Sequence, residues 1–225
     1  MTTGIARLSC EALLFDLDGV LVDSVVSVEH NWRVWAAQHG LDVETILRSA
    51  HGRRAMDTVQ IVAPHLDAAA EIIALSAQEA TTTQGLSEVP GAHTLLAALP
   101  PDRWAIVTSG DRAVAEHRLE HVGLPIPMVM VCGDEVSRGK PDPEGYLAAA
   151  AKLGIAPASC VVVEDAPSGI DAAHNAGMRV IAVAATHAPE ELRAAEVVAG
   201  VLSALTVRVH GEGRAKRLQI EVRQF

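Results

Sequence analysis

The chain has 225 residues, of which 49% are hydrophobic and 20% are charged, and its formal net charge is -10. A hydrophobic share of this size supports a packed core, so we do not expect a disordered chain. The acidic balance argues against a nucleic-acid partner, which needs a basic footprint, but it is compatible with a small cationic pocket for an anion.

The cysteines and the first residues indicate a cytoplasmic protein. Cys10, Cys132 and Cys160 are far apart in sequence and form no CxxC pair, so we interpret them as reduced thiols of a packed core. No signal peptide is visible, and no apolar stretch is long enough to cross a bilayer. We therefore expect no membrane partner, and we expect a monomer or a weak homodimer.

The first strand signal ends in a pair of acids. The apolar run at 12–15 predicts a buried parallel strand. Because side chains alternate along an extended chain, Asp16 and Asp18 are expected to point to the same side, and Gly19 allows a sharp turn just beyond them. Two like charges this close require a metal ion, a proton or a lysine to offset their repulsion.

Helical patterns replace the strand signal in the next segment. Apolar residues recur at helical spacing over 25–40, and the Ala-rich stretches 53–65 and 67–83 are also helical in pattern. We predict that residues 24–89 form a helical cap domain, a lid that would exclude water from the paired acids. The core domain then comprises residues 1–23 and 90–225.

In the core, predicted strands and helices alternate along the chain. Such alternation predicts an α/β fold, a Rossmann-like doubly wound parallel sheet with helices on both faces. The predicted strands are 12–15, 104–108, 128–132, 160–164, 179–183 and 197–198. The tail predicts a separate hairpin of strands 206–210 and 218–222 around a turn at 211–213.

Polar side chains mark the ends of the first four strands. Parallel strands bring these ends to one edge of the sheet, where ligands bind. Acids there suit Mg2+, which prefers oxygen ligands, and a hydroxyl and an N–H group at a helix start suit a phosphate oxygen. Together they predict a phosphoryl-transfer site. The polar residues are Asp16 and Asp18, then Thr108, Ser109 and Gly110, then Lys140, and finally Glu164 and Asp165.

In kind and in order, these groups resemble the four motifs of the haloacid dehalogenase superfamily of phosphotransferases, and the insertion after the first motif resembles its helical cap. The motifs read Asp-Leu-Asp-Gly-Val at 16–20, Thr-Ser-Gly at 108–110, Lys-Pro at 140–141 and Glu-Asp at 164–165. The segments similar to its sugar-phosphatase branch, which acts on sugar and sugar-alcohol phosphates, are 89–92, 104–110 and 163–169.

The resemblance implies roles for the acids. Asp16 would be the nucleophile that forms an aspartyl-phosphate, and Asp18 would protonate the leaving alcohol and then activate water. Asp16, the carbonyl of Asp18 and Asp165 would bind Mg2+. Glu164 would be a further ligand, directly or through water.

The resemblance also implies a phosphoryl pocket, formed by Ser109, Gly110 and Lys140. From the cap, His51 and Arg53 lie in a predicted turn and are candidates to contact substrate hydroxyls. A helix start with a solvated arginine is an equally good interpretation of that turn.

The resemblance leaves alternatives open. A phosphomutase of the β-phosphoglucomutase type shares every core motif, but it uses a cap histidine and a cap lysine. Here Val28 stands at the matching position and no lysine lies in 24–89, which favours hydrolysis. A non-catalytic protein of the same fold would have lost an acid or the lysine. We expect a Mg2+-dependent phosphatase acting on small phosphorylated sugars or sugar alcohols.

Overall fold

The computed structural model describes residues 4–50 and 52–224 of the chain. Its strands are β1 Ile5–Cys10, β2 Ala12–Phe15, β3 Val22–Asp23, β4 Ser87–Glu88, β5 Trp104–Val107, β6 Met130–Val131, β7 Cys160–Glu164, β8 Arg179–Val183, β9 Val197–Ala199, β10 Leu205–His210 and β11 Arg217–Arg223. Its α-helices are α1 Val25–His39, α2 Val43–Ala50, α3 Ala55–Val62, α4 Ala68–Glu79, α5 Ala92–Ala97, α6 Arg112–Val122, α7 Glu144–Leu153 and α8 Pro167–Asn175.

The central sheet contains all six strands predicted for the core. It is parallel, and its order is β6-β5-β2-β7-β8-β9. Leu14 of β2 pairs with Ala105 of β5 on one side and with Val162 of β7 on the other. The carboxyl ends of β2, β5 and β7 therefore border one crevice, the usual ligand position in such sheets. The predicted Rossmann-like α/β fold is confirmed.

The alternation of side chains along β2 divides the core into two layers. Leu13 and Phe15 pack with α5 and α6, whereas Ala12 and Leu14 pack with α7 and α8. All four side chains are fully buried. A strand covered on both faces has no polar side, which is why the sequence of β2 is a continuous apolar run.

A second, smaller sheet closes one of these layers. The predicted C-terminal hairpin is present as β10 and β11, and β11 also pairs with β1, a strand that the sequence analysis did not predict. Leu218, Ile220 and Val222 alternate with exposed or half-buried neighbours and insert into the core beneath α5. The tail therefore covers apolar surface of the central sheet.

The cap helices α1 to α4 have an apolar core of their own. Trp32, Trp35, Ile46, Val59 and Leu75 meet in it, and the rings of the two tryptophans pack edge to face with centroids 5.4 Å apart. This packing, rather than helix propensity, explains why such short helices persist.

The cap helices differ from the predictions at their ends. The helix predicted over 67–83 ends at Glu79, because the hydroxyls of Thr81 and Thr82 bond back to the carbonyl of Gln78 at 3.0 and 2.9 Å and compete with helical hydrogen bonds. The helix predicted over 53–65 is α3, which is shorter at both ends. Helix α2 was not predicted.

The chain leaves the core and returns to it at one place. Strands β3 and β4 pair there antiparallel, with Val22 opposite Glu88 and Asp23 opposite Ser87. The boundary predicted at 23–24 directly follows β3, and the one at 89–90 lies one residue beyond β4; the division into two domains stays a prediction. Among residues 4–50 and 52–224, no helix has the length and apolar character needed to span a bilayer.

Candidate active site

The structure brings the residues of the first, third and fourth motifs together at the carboxyl edge of the central sheet. Asp16 follows β2, Glu164 is the last residue of β7, and Asp165 follows it. Lys140 lies in the loop that precedes α7. These side chains are buried, with residue exposures of 5% for Asp16, 0% for Glu164, 4% for Asp165 and 8% for Lys140. Residues far apart in sequence thus form one cluster.

Lys140 provides a buried positive charge in this cluster. Its Nζ lies 2.9 Å from Oδ1 of Asp16 and 2.6 Å from Oε1 of Glu164. Burial would lower the pKa of Lys140, but the charges of the two carboxylates outweigh it and raise that pKa well above its usual range. Lys140 is therefore a permanent cation, suited to offset the charges of a carboxylate and a phosphoryl group.

Glu164 is engaged through both carboxylate oxygens. Oε1 accepts hydrogen bonds from Lys140 and from the hydroxyl of Tyr146 at 2.9 Å, and Oε2 accepts the next two backbone N–H groups at 2.9 and 3.1 Å. Its oxygens also belong, with Asp16 and Asp165, to a group of acids within 4.8 Å of one another that could hold a metal. Because four donors already contact Glu164, we infer that Glu164 orients Lys140. The role of Glu164 as a metal ligand stays a prediction.

Asp16 and Asp165 are acids in an environment that disfavours their charge. Burial raises the pKa of Asp16 from 3.8 to about 7, with the charge of Lys140 opposing the rise and that of Glu164 adding to it. Burial, together with the neighbouring Glu164 and Asp16, also raises the pKa of Asp165 well above its usual range. Both groups need a further cation to be fully ionised.

A divalent cation fits this imbalance. Asp16, Glu164 and Asp165 carry three negative charges when ionised, and Lys140 offsets one of them. The backbone of Gly19 also lies directly against this site, because a Cβ there would lie 2.1 Å from Oδ2 of Asp165. Carboxylate oxygens are the ligands that Mg2+ prefers. Asp16 and Asp165 are the side chains that would hold it.

We expect Mg2+ to stabilise the protein more at high pH than at low pH. Without metal, the folded protein keeps a proton on Asp16 up to about pH 7, whereas the unfolded chain releases it near pH 3.8. The unfolded state therefore binds fewer protons in this window, and stability falls as the pH rises through it. Bound Mg2+ removes this cost. Thermal unfolding with MgCl2 or with NaCl of equal ionic strength, above and below this window, measures the difference; equal shifts at both pH values contradict the prediction.

The carboxylate of Asp18 has different partners from that of Asp16. Its Oδ1 accepts hydrogen bonds from Oγ of Ser24 and from Nη1 of Arg118, both at 2.6 Å. It lies outside the group of acids that could hold a metal and lines the cleft between core and cap. Two adjacent aspartates in separate environments can take separate roles in one reaction.

The second motif forms the turn between β5 and α6. The N–H of Gly110 donates to Oγ1 of Thr108 at 3.0 Å, and Oγ of Ser109 donates to the cap carbonyl of Gly52 at 3.1 Å. The turn precedes the start of α6 at Arg112, and a helix N-terminus favours anions. Ser109 and Gly110 both line the cleft, and their predicted phosphate-binding role stays a prediction.

The two cap candidates have different outcomes. Arg53 lines the cleft, where it can meet a substrate. His51 lies outside the described residues. The neighbouring Arg54 instead links the cap to the core: it forms an ion pair at 2.8 Å with Asp57, also in the cap, and donates to the carbonyl of Val136 in the core at 2.8 Å.

The cleft between the cap and the sheet edge has a volume of about 910 Å3, counted with its open mouth. Its floor carries Asp16, Asp18, Ser109, Gly110 and Asp165, whereas Lys140 and Glu164 do not line it, and its roof mixes apolar and polar groups. The roof residues include Val28, Trp32, Arg53, Ser76 and Glu79.

Sequence reasoning missed several residues that support the motif side chains. Tyr146 bonds to Glu164, Arg118 bonds to Asp18, and the hydroxyl of Thr186 bonds to Asp165. No local pattern marks any of the three. Gly169 did carry a signal, since it stands in the segment that resembled sugar phosphatases; a Cβ there would lie 1.7 Å from Oε1 of Glu164.

Comparison with known proteins agrees with this arrangement. The family model described as haloacid dehalogenase-like hydrolase matches residues 13–183. The chain belongs to this family. Hexitol phosphatase A of Escherichia coli strain K12 is 43% identical over 212 residues, which cover 91% of this chain and 97% of that protein. The predicted resemblance is thereby confirmed.

Other relatives of this family member support the same class. Glycerol-1-phosphate phosphohydrolase 2 of Saccharomyces cerevisiae is 34% identical, over 83% of this chain and 79% of that protein. Among solved structures, a hydrolase from Pseudomonas syringae has a TM-score of 0.75 and 28% identity, and the match covers 84% of this chain and 92% of that one. These matches confirm the prediction of a phosphoric monoester hydrolase.

Proposed function

We propose that this family member hydrolyses phosphate monoesters of small sugars or sugar alcohols in a Mg2+-dependent reaction through an aspartyl-phosphate on Asp16. The observation that carries the proposal is the position of the Asp16 carboxylate at the floor of the cleft, 2.9 Å from the buried ammonium of Lys140. Asp18 lies two residues further along the chain and lines the same cleft. A nucleophile and an acid–base group thus face one cavity.

In the first half of the reaction, a carboxylate oxygen of Asp16 attacks the phosphorus atom. The bond between phosphorus and the alcohol oxygen breaks, and Asp18 gives its proton to that oxygen, so that a neutral alcohol leaves. Lys140, Ser109 and the N–H of Gly110 hold the phosphoryl oxygens. A bound Mg2+ would supply positive charge against the phosphoryl oxygens and the attacking carboxylate.

In the second half, water attacks the phosphorus atom of the aspartyl-phosphate. Asp18, now ionised, accepts a proton from this water, and the bond between phosphorus and the Asp16 oxygen breaks. Phosphate leaves and both carboxyl groups return to their starting states. Asp18 is suited to both transfers because its carboxylate lines the cleft and has its own partners, separate from those of Asp16.

The substrate class is inferred from the cleft and from the relatives. The roof offers polar side chains such as Arg53, Ser76 and Glu79 beside the apolar Val28 and Trp32, a mixture that suits a short chain of hydroxyl-bearing carbons. Two relatives are named for the phosphates of a hexitol and of glycerol.

A phosphomutase is the second candidate, but the cap favours hydrolysis. The mutases that share these motifs use a histidine at the position where this chain has Val28, an apolar residue that lines the cleft. They also use a cap lysine, and none occurs in 24–89. Water, rather than a second hydroxyl of the sugar, is therefore the expected acceptor.

Phosphate release measured across sugar, polyol and nucleotide monophosphates tests the proposal. With Mg2+ we expect release to be fastest for small sugar or polyol phosphates, and we expect a chelator to abolish it because the acids of the site lose their cation. Adding Mg2+ back restores activity if the loss is specific. Full activity in chelator, or transfer to a second hydroxyl without phosphate release, contradicts the proposal.

A further inference from the structure

Arg118 of α6 connects the two domains at the active site. Its Nη1 lies 2.6 Å from Oδ1 of Asp18 in the core, and its Nη2 lies 3.3 Å from Oε2 of Glu79 in the cap. Its side chain is only 4% exposed. A guanidinium removed from water in this way depends on the oxygen atoms that accept its hydrogen bonds, and these two carboxyl groups belong to different domains.

The contact with Asp18 is made at one oxygen only. Oδ1 accepts both Arg118 and the hydroxyl of Ser24, and none of the hydrogen bonds found within residues 4–50 and 52–224 involves Oδ2. Two donors on one oxygen fix the rotation of the carboxyl group. The remaining oxygen is thus held in one orientation, which is what a proton transfer to a bound alcohol requires.

The contact with Glu79 depends on the position of the cap. Glu79 is the last residue of α4, and two further contacts join the region of this helix to the region of α6. Oγ of Ser76 bonds to the carboxylate of Asp111, and the ring Nε2 of His117 lies 3.1 Å from the carbonyl of Thr82. The ion pair with Glu79 is therefore part of the surface along which the cap rests on the core.

We propose that Arg118 is a positioning residue for proton transfer: it holds Oδ1 of Asp18 so that Oδ2 exchanges the proton, and Glu79 engages it when the cap covers the cleft. The proposal rests on the proposed phosphatase function. The proton transfers are those of the proposed reaction: the proton moves from Oδ2 of Asp18 to the leaving alcohol oxygen as the phosphorus–oxygen bond breaks. In the second step the attacking water returns a proton to Oδ2.

This role predicts a dependence on the leaving group. An alkoxide is a poor leaving group and needs the proton of Asp18, whereas para-nitrophenolate leaves readily without it. Loss of Arg118 should therefore slow the hydrolysis of a sugar or polyol phosphate far more than that of para-nitrophenyl phosphate. A residue that only stabilises the fold would affect both substrates equally.

The experiment compares kcat for the best alkyl phosphate with kcat for para-nitrophenyl phosphate in wild type and in Arg118→Met. We expect the alkyl rate to fall about tenfold or more and the aryl rate to fall less than about threefold, because general acid catalysis alone contributes about a hundredfold or more. Arg118→Lys keeps the charge but reaches the two acids less well, so it should restore part of the alkyl rate. Asp18→Asn shows the full size of the effect.

Two further variants separate positioning from folding. Arg103→Met removes another buried arginine, one that precedes β5 at the opposite edge of the sheet, and it should leave the ratio of the two rates unchanged. Glu79→Gln keeps Arg118 and Asp18 in place and gives the answer if Arg118→Met does not fold. It should lower kcat for the alkyl phosphate selectively, by less than Arg118→Met does, and leave KM for that substrate unchanged. A rise in KM instead would mean that Glu79 acts by contacting the substrate.

Equal losses on both substrates, or no loss in either Arg118→Met or Glu79→Gln, would overturn the positioning role. Failure of the phosphatase function itself has a different signature. In that case wild type itself releases phosphate from neither substrate, which contradicts the phosphatase function and, with it, the positioning role.

Discussion

Asp16→Asn is expected to abolish phosphate release, with a loss of more than about a thousandfold, the scale seen when a nucleophile is removed from other hydrolases. The amide has the shape of the carboxylate but cannot attack phosphorus or carry a full charge to a metal. Rapid quenching with labelled substrate should detect phosphoryl-enzyme in wild type and none in the variant.

The same change should not unfold the protein. Burial raises the pKa of Asp16 to about 7, so the ionised carboxylate destabilises the metal-free fold above that pH. The neutral Asn removes this cost, and metal-free Asp16→Asn should unfold at the same temperature as wild type or higher. Asp171→Asn, an exposed acid on α8, is the matched control and should leave activity unchanged. If folded Asp16→Asn kept its activity, Asp16 would not be the nucleophile.

The core fold could be predicted because its signals are local. An apolar run such as the one at β2 needs only its neighbours in sequence to be interpreted as a buried strand, and the acids at its end mark the functional edge. Parallel pairing then brings Asp16 and Glu164 to one edge without any knowledge of strand order. The motifs and the α/β class could therefore be predicted from the sequence alone.

The supporting contacts could not be predicted, because each is made by tertiary packing. Arg118 pairs with Asp18 across 100 residues of sequence, and nothing near either residue indicates its partner. Strand β1 pairs with β11 at the opposite end of the chain, with Leu8 facing Ile220. Its amino-terminal half is largely exposed, so it has no continuous apolar run of the kind that marked β2.

The cap was predicted less well than the core for a related reason. Its helices are short, and their ends are set by capping and by side-chain bonds rather than by periodicity. Helix α2 begins where the carboxylate of Asp42 accepts the N–H of Thr45 at 3.0 Å, a signal of one residue. Substrate contacts from the cap depend on these details, which is why Arg53 remains a candidate and Arg54 was found to tie the domains together.

The ionisable groups at the site form two sets with different tasks. Lys140 lies among the acids that surround the nucleophile, and Arg118 lies between the acid–base group and the cap. In each set a buried cation is outnumbered by carboxylates. In the first set, Lys140 is the positive charge that contacts both Asp16 and Glu164, so under the proposed mechanism it offsets part of their charge.

Lys140→Met should therefore lower kcat by about a thousandfold. A carboxylate that approaches a phosphate dianion meets a repulsion of about 4 kcal/mol per charge pair at about 4 Å and an effective dielectric constant near 20. One such pair left without its counter-charge corresponds to about a thousandfold in rate. The methionine side chain fills similar space, and Glu164 keeps its hydrogen bonds from Tyr146 and from two backbone N–H groups, so the fold should persist.

Lys152→Met is the matched control, because Lys152 is half exposed on α7 and lies 3.5 Å from Glu135, a surface pair of little energetic weight. It should keep wild-type kcat to within about twofold. Circular dichroism and thermal unfolding of both variants separate a folded, inactive Lys140→Met from an unfolded one. If folded Lys140→Met kept more than about a tenth of wild-type kcat, Lys140 would not supply the charge that offsets the approach of Asp16 to the phosphoryl group.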